Sequence, residues 1–305
     1  MNNLSVDIGR LRLNNPILTA SGTFGYGQEF SSIMNVNKLG GLVTKAVSPE
    51  PRIGNPPPRI AETPSGMLNS IGLANVGVKK FIEDKLPYLR TLTSAVIVNV
   101  AGKTIEEFVH VIDAIETAGG VDGYELNISC PNVKEGGIAF GTNRQIAAEI
   151  TSLCRKTTER CLIVKLSPNV TSIRDIARAV EDAGADSVSV VNTFVGMAVD
   201  IRTRRPKLAT ITGGLSGPAI KPLAIAKVFE VVQNVSIPVI GIGGIMNCDD
   251  IIEFLITGAT AVQVGTANFV DPNISEKLVT DLAHYCQSHN ISDIHELIGS
   301  LRIDL

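Results

Sequence analysis

Two lysines and three asparagines stand at places in this chain that turn chemistry does not explain. Short apolar runs close one after another in or beside a small or polar residue: Ser21, Lys45, Asn99, Asn127, Lys165 and Asn192. The last two runs pass directly into Gly243-Gly244 and Gly265-Thr266. A single Asn or Ser after an apolar run is adequately explained as a turn or a cap. Lysine has no turn role, and a charge at the rim of an apolar assembly is costly unless something answers it. The set therefore reads as a ligand site. Glycine pairs leave backbone N–H groups open to an anion, and a following helix N-terminus adds to the attraction, so positions 243–244 and 265–266 suit a phosphate. Gly217, closing Thr212-Gly-Gly-Leu-Ser-Gly217, offers another close backbone approach. The glycines do not say which phosphate.

Eight strands must position these residues. Runs rich in Val, Ile and Leu cover residues 16–20, 41–45, 95–100, 123–129, 162–167, 187–192, 238–243 and 261–265. They leave about 31 residues per unit, which suits a (β/α)8 TIM barrel, where ligands bind at the strand C-termini. A doubly wound open sheet competes, but its glycine signal follows the first strand, and here the glycines cluster late. Hydrophobic residues make up 44% of the 305, aromatics only 4%, and Trp is absent. Such a core is Val, Ile, Leu and Ala, the mixture that parallel strands covered on both faces require. Thr104 with Glu107 and Thr142 with Gln145 have capping-box spacing before helical periodicity, and Gly119-Gly120 ends the first of these helices. Residues 1–15 read as a short hairpin closing the barrel bottom. Long insertions follow strands two and six, over residues 46–94 and 193–237, and residues 1–305 read as one domain.

Charge and cysteine content exclude several classes. With 27 basic and 30 acidic residues the net charge is −3, which gives no electrostatic case for nucleic acid. No run approaches the roughly 18 apolar residues of a membrane span, and the N-terminus lacks an apolar export core. The five cysteines have no CxxC pairing, so neither a disulfide framework nor a metal or iron–sulfur site is expected. No GxGxxG follows an early strand. The expectation is a reduced, cytoplasmic protein.

Asn127-Ile-Ser-Cys-Pro-Asn132, together with Asn69-Ser-Ile-Gly-Leu-Ala-Asn75, resembles the dihydroorotate dehydrogenases. Ala20-Ser-Gly-Thr-Phe-Gly-Tyr-Gly27 and Thr44-Lys-Ala-Val-Ser-Pro49 are similar to the catalytic subunit of the NAD-linked type 1B branch, and the resemblance covers essentially the whole chain. It implies an FMN-bound barrel, one FMN per chain, oxidising (S)-dihydroorotate to orotate in de novo pyrimidine (UMP) biosynthesis. It places FMN against Ser21, Lys45, Ala46, Asn99, Asn127, Lys165, Val191, Gly217, Gly243, Gly244, Gly265 and Thr266. It places the substrate against Lys45, Asn69, Ser70, Ile71, Gly72, Leu73, Asn127, Asn192 and Thr193, with Cys130 as catalytic base. It further implies an electron-transfer partner carrying FAD and [2Fe–2S], in a heterotetramer of two catalytic and two electron-transfer chains built on a homodimer.

That chemistry suits the residues. Hydride loss needs a cofactor, since no side chain accepts two electrons. The carbon-bound proton needs a positioned base on the other face. Cys130 is the reasonable candidate, because His110, His284, His289 and His295 fall in helices or near the C-terminus. Pro131 follows Cys130 directly and Gly136-Gly137 comes shortly after, so a gate closing over the substrate is expected there. The remaining cysteines, 154, 161, 248 and 286, read as buried thiols in helical segments. Val164 and Leu166 flank Lys165, and strand alternation turns it to the opposite side from both. There its charge favours reduced flavin. The asparagine amides donate and accept, matching a ring of alternating N–H and C=O groups. Two other readings stay open: a fumarate-using type 1A-like enzyme and a non-redox, phosphate-binding isomerase or lyase barrel.

Overall fold

The computed structural model describes residues 2–128 and 140–303. Eight parallel strands close a barrel: Ile17–Thr19, Gly41–Val43, Ala95–Val100, Gly123–Asn127, Cys161–Lys165, Ser187–Val190, Val239–Ile242 and Ala261–Val264. Strands adjacent in sequence pair in space, and the eighth meets the first through Val264 and Thr19. Every residue of the last four strands is buried. Burial on both faces is the condition that makes such strands continuous apolar runs, and each of the eight expected runs carries one.

Three local expectations are corrected. Cys161 opens the fifth strand rather than lying in a helix. The helix Arg144–Thr157 is capped by Asn143, whose side chain accepts from the N–H groups of Gln145 and Ile146, and not by Thr142. Asn accepts at this position at least as well as Thr. Thr104 does cap Ile105–Ala118 through the Glu107 N–H, but Glu107 reaches back to the Lys103 N–H, one residue beyond the box. The first connection holds only two 3-10 turns, Gln28–Phe30 and Val36–Lys38. The helix Ile274–Ser288 packs on the first strand instead, where Glu276 accepts from Lys38 at 2.6 Å and from the Asn35 N–H at 2.8 Å.

The hairpin is present as Val6–Asp7 paired with Arg12–Leu13. Ile8 is buried, and its carbonyl accepts from the Cys161 thiol at 3.2 Å. Arg10 reaches Asp186, which precedes the sixth strand, at 3.1 Å. Both anchors lie at strand N-termini, so the hairpin closes the bottom as expected.

The two insertions, which carry no strand-like runs in the sequence, form one structure. Phe194–Met197, Thr212–Ser216, Gly66–Asn69 and Ile60–Thr63 make a four-stranded antiparallel sheet in that order. Gly214 faces Asn69 and Leu215 faces Leu68 across its centre. Residues far apart in the chain are thereby joined into a cap.

Candidate active site at the barrel mouth

Glu125, in the middle of the fourth strand, is fully buried, and sequence reasoning missed it. Its carboxylate accepts from Asn99 Nδ2 at 2.7 Å, Ser189 Oγ at 2.8 Å and Gln263 Nε2 at 2.7 Å, and pairs with Lys165 Nζ at 3.7 Å. These partners stand on the third, sixth, eighth and fifth strands. Barrel interiors are ordinarily filled by branched apolar side chains; here one layer is polar. Asn127 Nδ2 donates to Asn99 Oδ1 at 3.4 Å, and Asn127 is the register partner of Lys165. The expected residues Asn99, Asn127 and Lys165 are thus joined through one carboxylate. Lys165 is 6% exposed, and so deep an ammonium requires a counter-charge. Glu125 was legible by the alternation that singled out Lys165, being a charge between Tyr124 and Leu126 in an apolar strand.

Next to this layer lie the glycine pairs. The N–H groups of Gly243, Gly244, Gly265 and Thr266 have no acceptor among the described residues. The glycines differ in what demands them. Gly243 and Gly244 have φ of +133° and +76°, and a Cβ there would lie 2.8 Å from Ala224 Cβ and 2.7 Å from Lys221 Cβ. The fold needs glycine at both, ligand or not. Gly217, at φ +91°, would meet Gly66 Cα at 2.7 Å. Gly265 has no left-handed φ, and a Cβ would find only ordinary contacts, Ala20 Cβ at 3.5 Å and Thr23 Cγ2 at 3.8 Å. Nothing in the protein itself excludes a side chain at Gly265; a ligand pressed against the backbone would. Thr266 Oγ1 donates to Ser216 Oγ at 2.8 Å, tying the eighth strand to the cap. Lys221 is committed elsewhere, to Asp250 at 2.7 Å and Glu253 at 2.6 Å. Ser21 is half-buried beyond the first strand, while Ala46 and Val191 are buried beyond the second and sixth. Free N–H donors and an open Cβ position fit the phosphate, and the nearly buried Lys165 ammonium fits the ring system, of the flavin that the resemblance implies.

The residues expected to hold the substrate stand at the ends of the second, fourth and sixth strands and in the two insertions. Lys45 is half-buried; burial first, then the Arg59 guanidinium, push its ammonium below the usual lysine value. Two cations sharing this region favour an anionic ligand, and Arg59 was not anticipated. Asn69 ends a cap strand and donates from Nδ2 to the Gly214 carbonyl at 3.3 Å. Ser70 is buried within the cap, its hydroxyl accepting from Asn55 Nδ2 at 2.9 Å and from Thr210 Oγ1 at 2.6 Å. Ile71 accepts at its carbonyl from the Asn55 N–H at 3.1 Å. Gly72 and Leu73 both have positive φ, +72° and +56°, and a non-glycine residue held there is strained by about 1 kcal/mol or more. Asn75 pins that segment, donating from Nδ2 to the Leu73 carbonyl at 2.8 Å and to Ser48 Oγ at 2.7 Å. Asn192 extends the sixth strand, its N–H donating to the Leu166 carbonyl at 3.0 Å, and its Oδ1 accepts from the Thr193 N–H at 2.9 Å. Thr193 lies against Gly214, the same residue that meets Asn69.

Cys130, with Pro131, Gly136 and Gly137, lies outside the described residues. Among the described residues no other thiol suits a base. Burial pushes Cys154, Cys161 and Cys248 up to about 12, and raises Cys286 as well. Thiols so shifted stay protonated at neutral pH. The histidines lie outside the barrel: His110 and His284 are exposed on the helices Ile105–Ala118 and Ile274–Ser288, His289 stacks on Tyr285, and His295 Nδ1 lies 2.6 Å from Asp293 Oδ1. The described residues hold no cluster of three or more His, Cys, Asp or Glu suited to a metal, and none of their helices is long and apolar enough to cross a membrane.

Comparison with known proteins identifies the family of the chain. The sequence profile of a family described as dihydroorotate dehydrogenase matches residues 3–286. The chain is 54% identical to a protein of Geotalea uraniireducens named dihydroorotate dehydrogenase B (NAD(+)), catalytic subunit, covering 98% of each chain. A protein of the same name from Thermoanaerobacter sp. is 52% identical, covering 99% of this chain and all of that one. In fold, the chain is similar to a crystal structure of DHODH in complex with ferulenol from Eimeria tenella. The TM-score is 0.80 at 21% identity, over 98% of this chain and 88% of that one.

Proposed function

The chain belongs to the dihydroorotate dehydrogenase family, and from that membership we propose how its barrel mouth works. It is a flavin-dependent, NAD-linked dihydroorotate dehydrogenase of the B type, oxidising dihydroorotate to orotate in pyrimidine biosynthesis. The flavin is FMN, one per chain, and when bound it supplies the two-electron acceptor that no side chain can provide. The N–H groups of Gly243, Gly244, Gly265 and Thr266 hold its phosphate, and Ser21, Ala46, Val191 and Gly217 border it. Lys165 answers negative charge on the pyrimidine portion of the ring system, in a site where low dielectric strengthens that attraction. Asn99 and Asn127 hold polar atoms around it.

Lys45 takes the substrate carboxylate. Asn69, Asn127 and Asn192 pair with the ring's N–H and C=O groups, and the strained 69–73 segment with Thr193 closes the pocket from the cap. Cys130, as thiolate, removes the carbon-bound proton from the face opposite the cofactor. Electrons leave through a second subunit carrying FAD and [2Fe–2S], in a heterotetramer of two catalytic and two electron-transfer chains around a homodimer core, in the cytoplasm. The name catalytic subunit carried by the relatives supports such a partner.

One observation carries this reading most directly. The barrel that buries the Lys165–Glu125 pair, at 3.7 Å, also ends its seventh and eighth strands in four backbone donors without acceptors among the described residues. A non-redox phosphate-binding barrel would use those donors but has no need of the buried charge. The test is anaerobic titration of the FMN-loaded chain with dihydroorotate. The yellow flavin absorbance should bleach stoichiometrically; flavin that stays oxidised refutes the assignment.

A further inference from the structure

We propose that Glu125 is a positioning residue that keeps Lys165 charged and in place at the flavin site, and thereby sets how strongly the site favours reduced flavin. This deepens the reading above and rests on it, since it takes Lys165 to face bound FMN.

The geometry separates an anchor from a charge. Glu125 is 0% exposed, and its hydrogen-bonding oxygens are taken by three neutral donors, Asn99 Nδ2, Ser189 Oγ and Gln263 Nε2, at 2.7–2.8 Å. Every one of these partners donates, so the two oxygens of Glu125 act only as acceptors toward them. Its place is fixed from the third, sixth and eighth strands whether or not Lys165 is present. Lys165 Nζ stands 3.7 Å from Oε1, inside ion-pair range but beyond a hydrogen bond. The ammonium therefore gains a counter-charge without giving up its N–H donors. Asn99 hangs on the same oxygen, and Asn127 on Asn99. Without the carboxylate, Lys165 at 6% exposure would be an uncompensated buried cation, and such a lysine sheds its proton.

The opposite sign of two electrostatic effects makes this testable. Removing a bare carboxylate near a site that becomes negative on reduction raises the flavin potential. Removing a carboxylate that maintains a lysine's charge lowers it. The midpoint potential of the FMN-loaded full chain would be measured for wild type, Glu125→Gln, Lys165→Met and the double variant. Glu125→Gln should shift the potential negative by at least a tenfold change in the oxidised-to-reduced ratio, about 30 mV for a two-electron couple. In the Lys165→Met background the same substitution should shift it positive or leave it unchanged. A potential that rises or stays constant in Glu125→Gln, or that falls as far in the Lys165→Met background, overturns the proposal. Should Glu125→Gln take up no flavin, the double variant decides: uptake restored by also removing the stranded ammonium supports the proposal, and a double variant that stays empty refutes it. Wild-type chain that failed to bind FMN would count against the functional reading. A flat response in Glu125→Gln beside a competent wild type counts against this inference alone.

Discussion

Asn69 and Gly214, far apart in the chain, face each other in the cap sheet, with Asn69 Nδ2 donating to the Gly214 carbonyl at 3.3 Å. That contact brings Asn69 of the first insertion to Gly214, against which Thr193 of the second insertion lies. The neighbouring Gly213 cannot carry a side chain, because a Cβ there would lie 2.5 Å from the Asn69 carbonyl oxygen and 2.5 Å from Leu208 Cδ1. Gly213→Ala should raise KM for dihydroorotate about tenfold, roughly 1.4 kcal/mol of lost binding, with FMN content unchanged. Steady-state kinetics beside flavin quantification checks this. An equal loss of FMN would mean that the cap also holds the cofactor.

The two glycine pairs should respond differently to the same substitution. Gly243→Ala forces a side chain into φ +133° and against Ala224, so the flavin-free chain should lose about 1–3 kcal/mol. Gly265→Ala meets only ordinary contacts, so flavin-free stability should change by less than about 0.5 kcal/mol while FMN affinity falls tenfold or more. Thermal unfolding without flavin and FMN titration separate the two. Undiminished FMN affinity in Gly265→Ala would remove that backbone from the cofactor site.

Lys45 supplies a pH dependence. Its folded pKa is lowered from 10.5, chiefly by burial. Binding of the orotate carboxylate uses the ammonium form, so affinity should be flat below the lowered pKa and fall as pH rises through it. The stability linkage has the opposite sense. Between the lowered folded pKa and the unfolded value the unfolded chain holds more protons, so Lys45's contribution to stability rises with pH. Orotate titrations across alkaline pH test the first statement, and Lys45→Met should abolish the slope. A slope unchanged in Lys45→Met would assign the titration to another group.

How much of this was legible varies with burial. The eight strands were readable because burial on both faces leaves runs such as Ala95–Val100 almost wholly apolar. The cap sheet was not: Thr212–Ser216 contains two glycines, and Ile60–Thr63 is half exposed, so neither presents a strand-like run, and their pairing is set by contacts between insertions. The strand-end polar residues stood out against apolar neighbours. Arg59, which pushes on Lys45, lies in a loop-like stretch where a polar residue carries no signal, and Asn75 shows in the sequence only as the end of the Asn69–Asn75 motif, not as the residue that pins Leu73. Glu125 sits one layer deeper than the strand ends, where a charge between Tyr124 and Leu126 is the only signal it leaves. Cys161 was misplaced because the start of a strand and the end of a helix look alike in a short apolar run.

Cys130→Ala should retain FMN and lose its reduction by dihydroorotate, a fall of about 10²–10⁴-fold for a missing general base. Cys130→Ser should be slow and recover as pH rises, since a hydroxyl is the weaker acid. Rapid-mixing absorbance of the pre-loaded variants reads both. Full-rate reduction in Cys130→Ala would remove that thiol from the mechanism.

The central claim is that the strand-end residues of one barrel hold a flavin and a pyrimidine together. A crystal structure of the chain loaded with FMN and orotate tests it most directly. The account predicts the phosphate on the N–H groups of Gly243, Gly244, Gly265 and Thr266, the flavin's pyrimidine portion beside Lys165, and orotate between that ring and Asn69, Asn127 and Asn192. Phosphate bound away from those four donors, or orotate seated outside the cap, would contradict it.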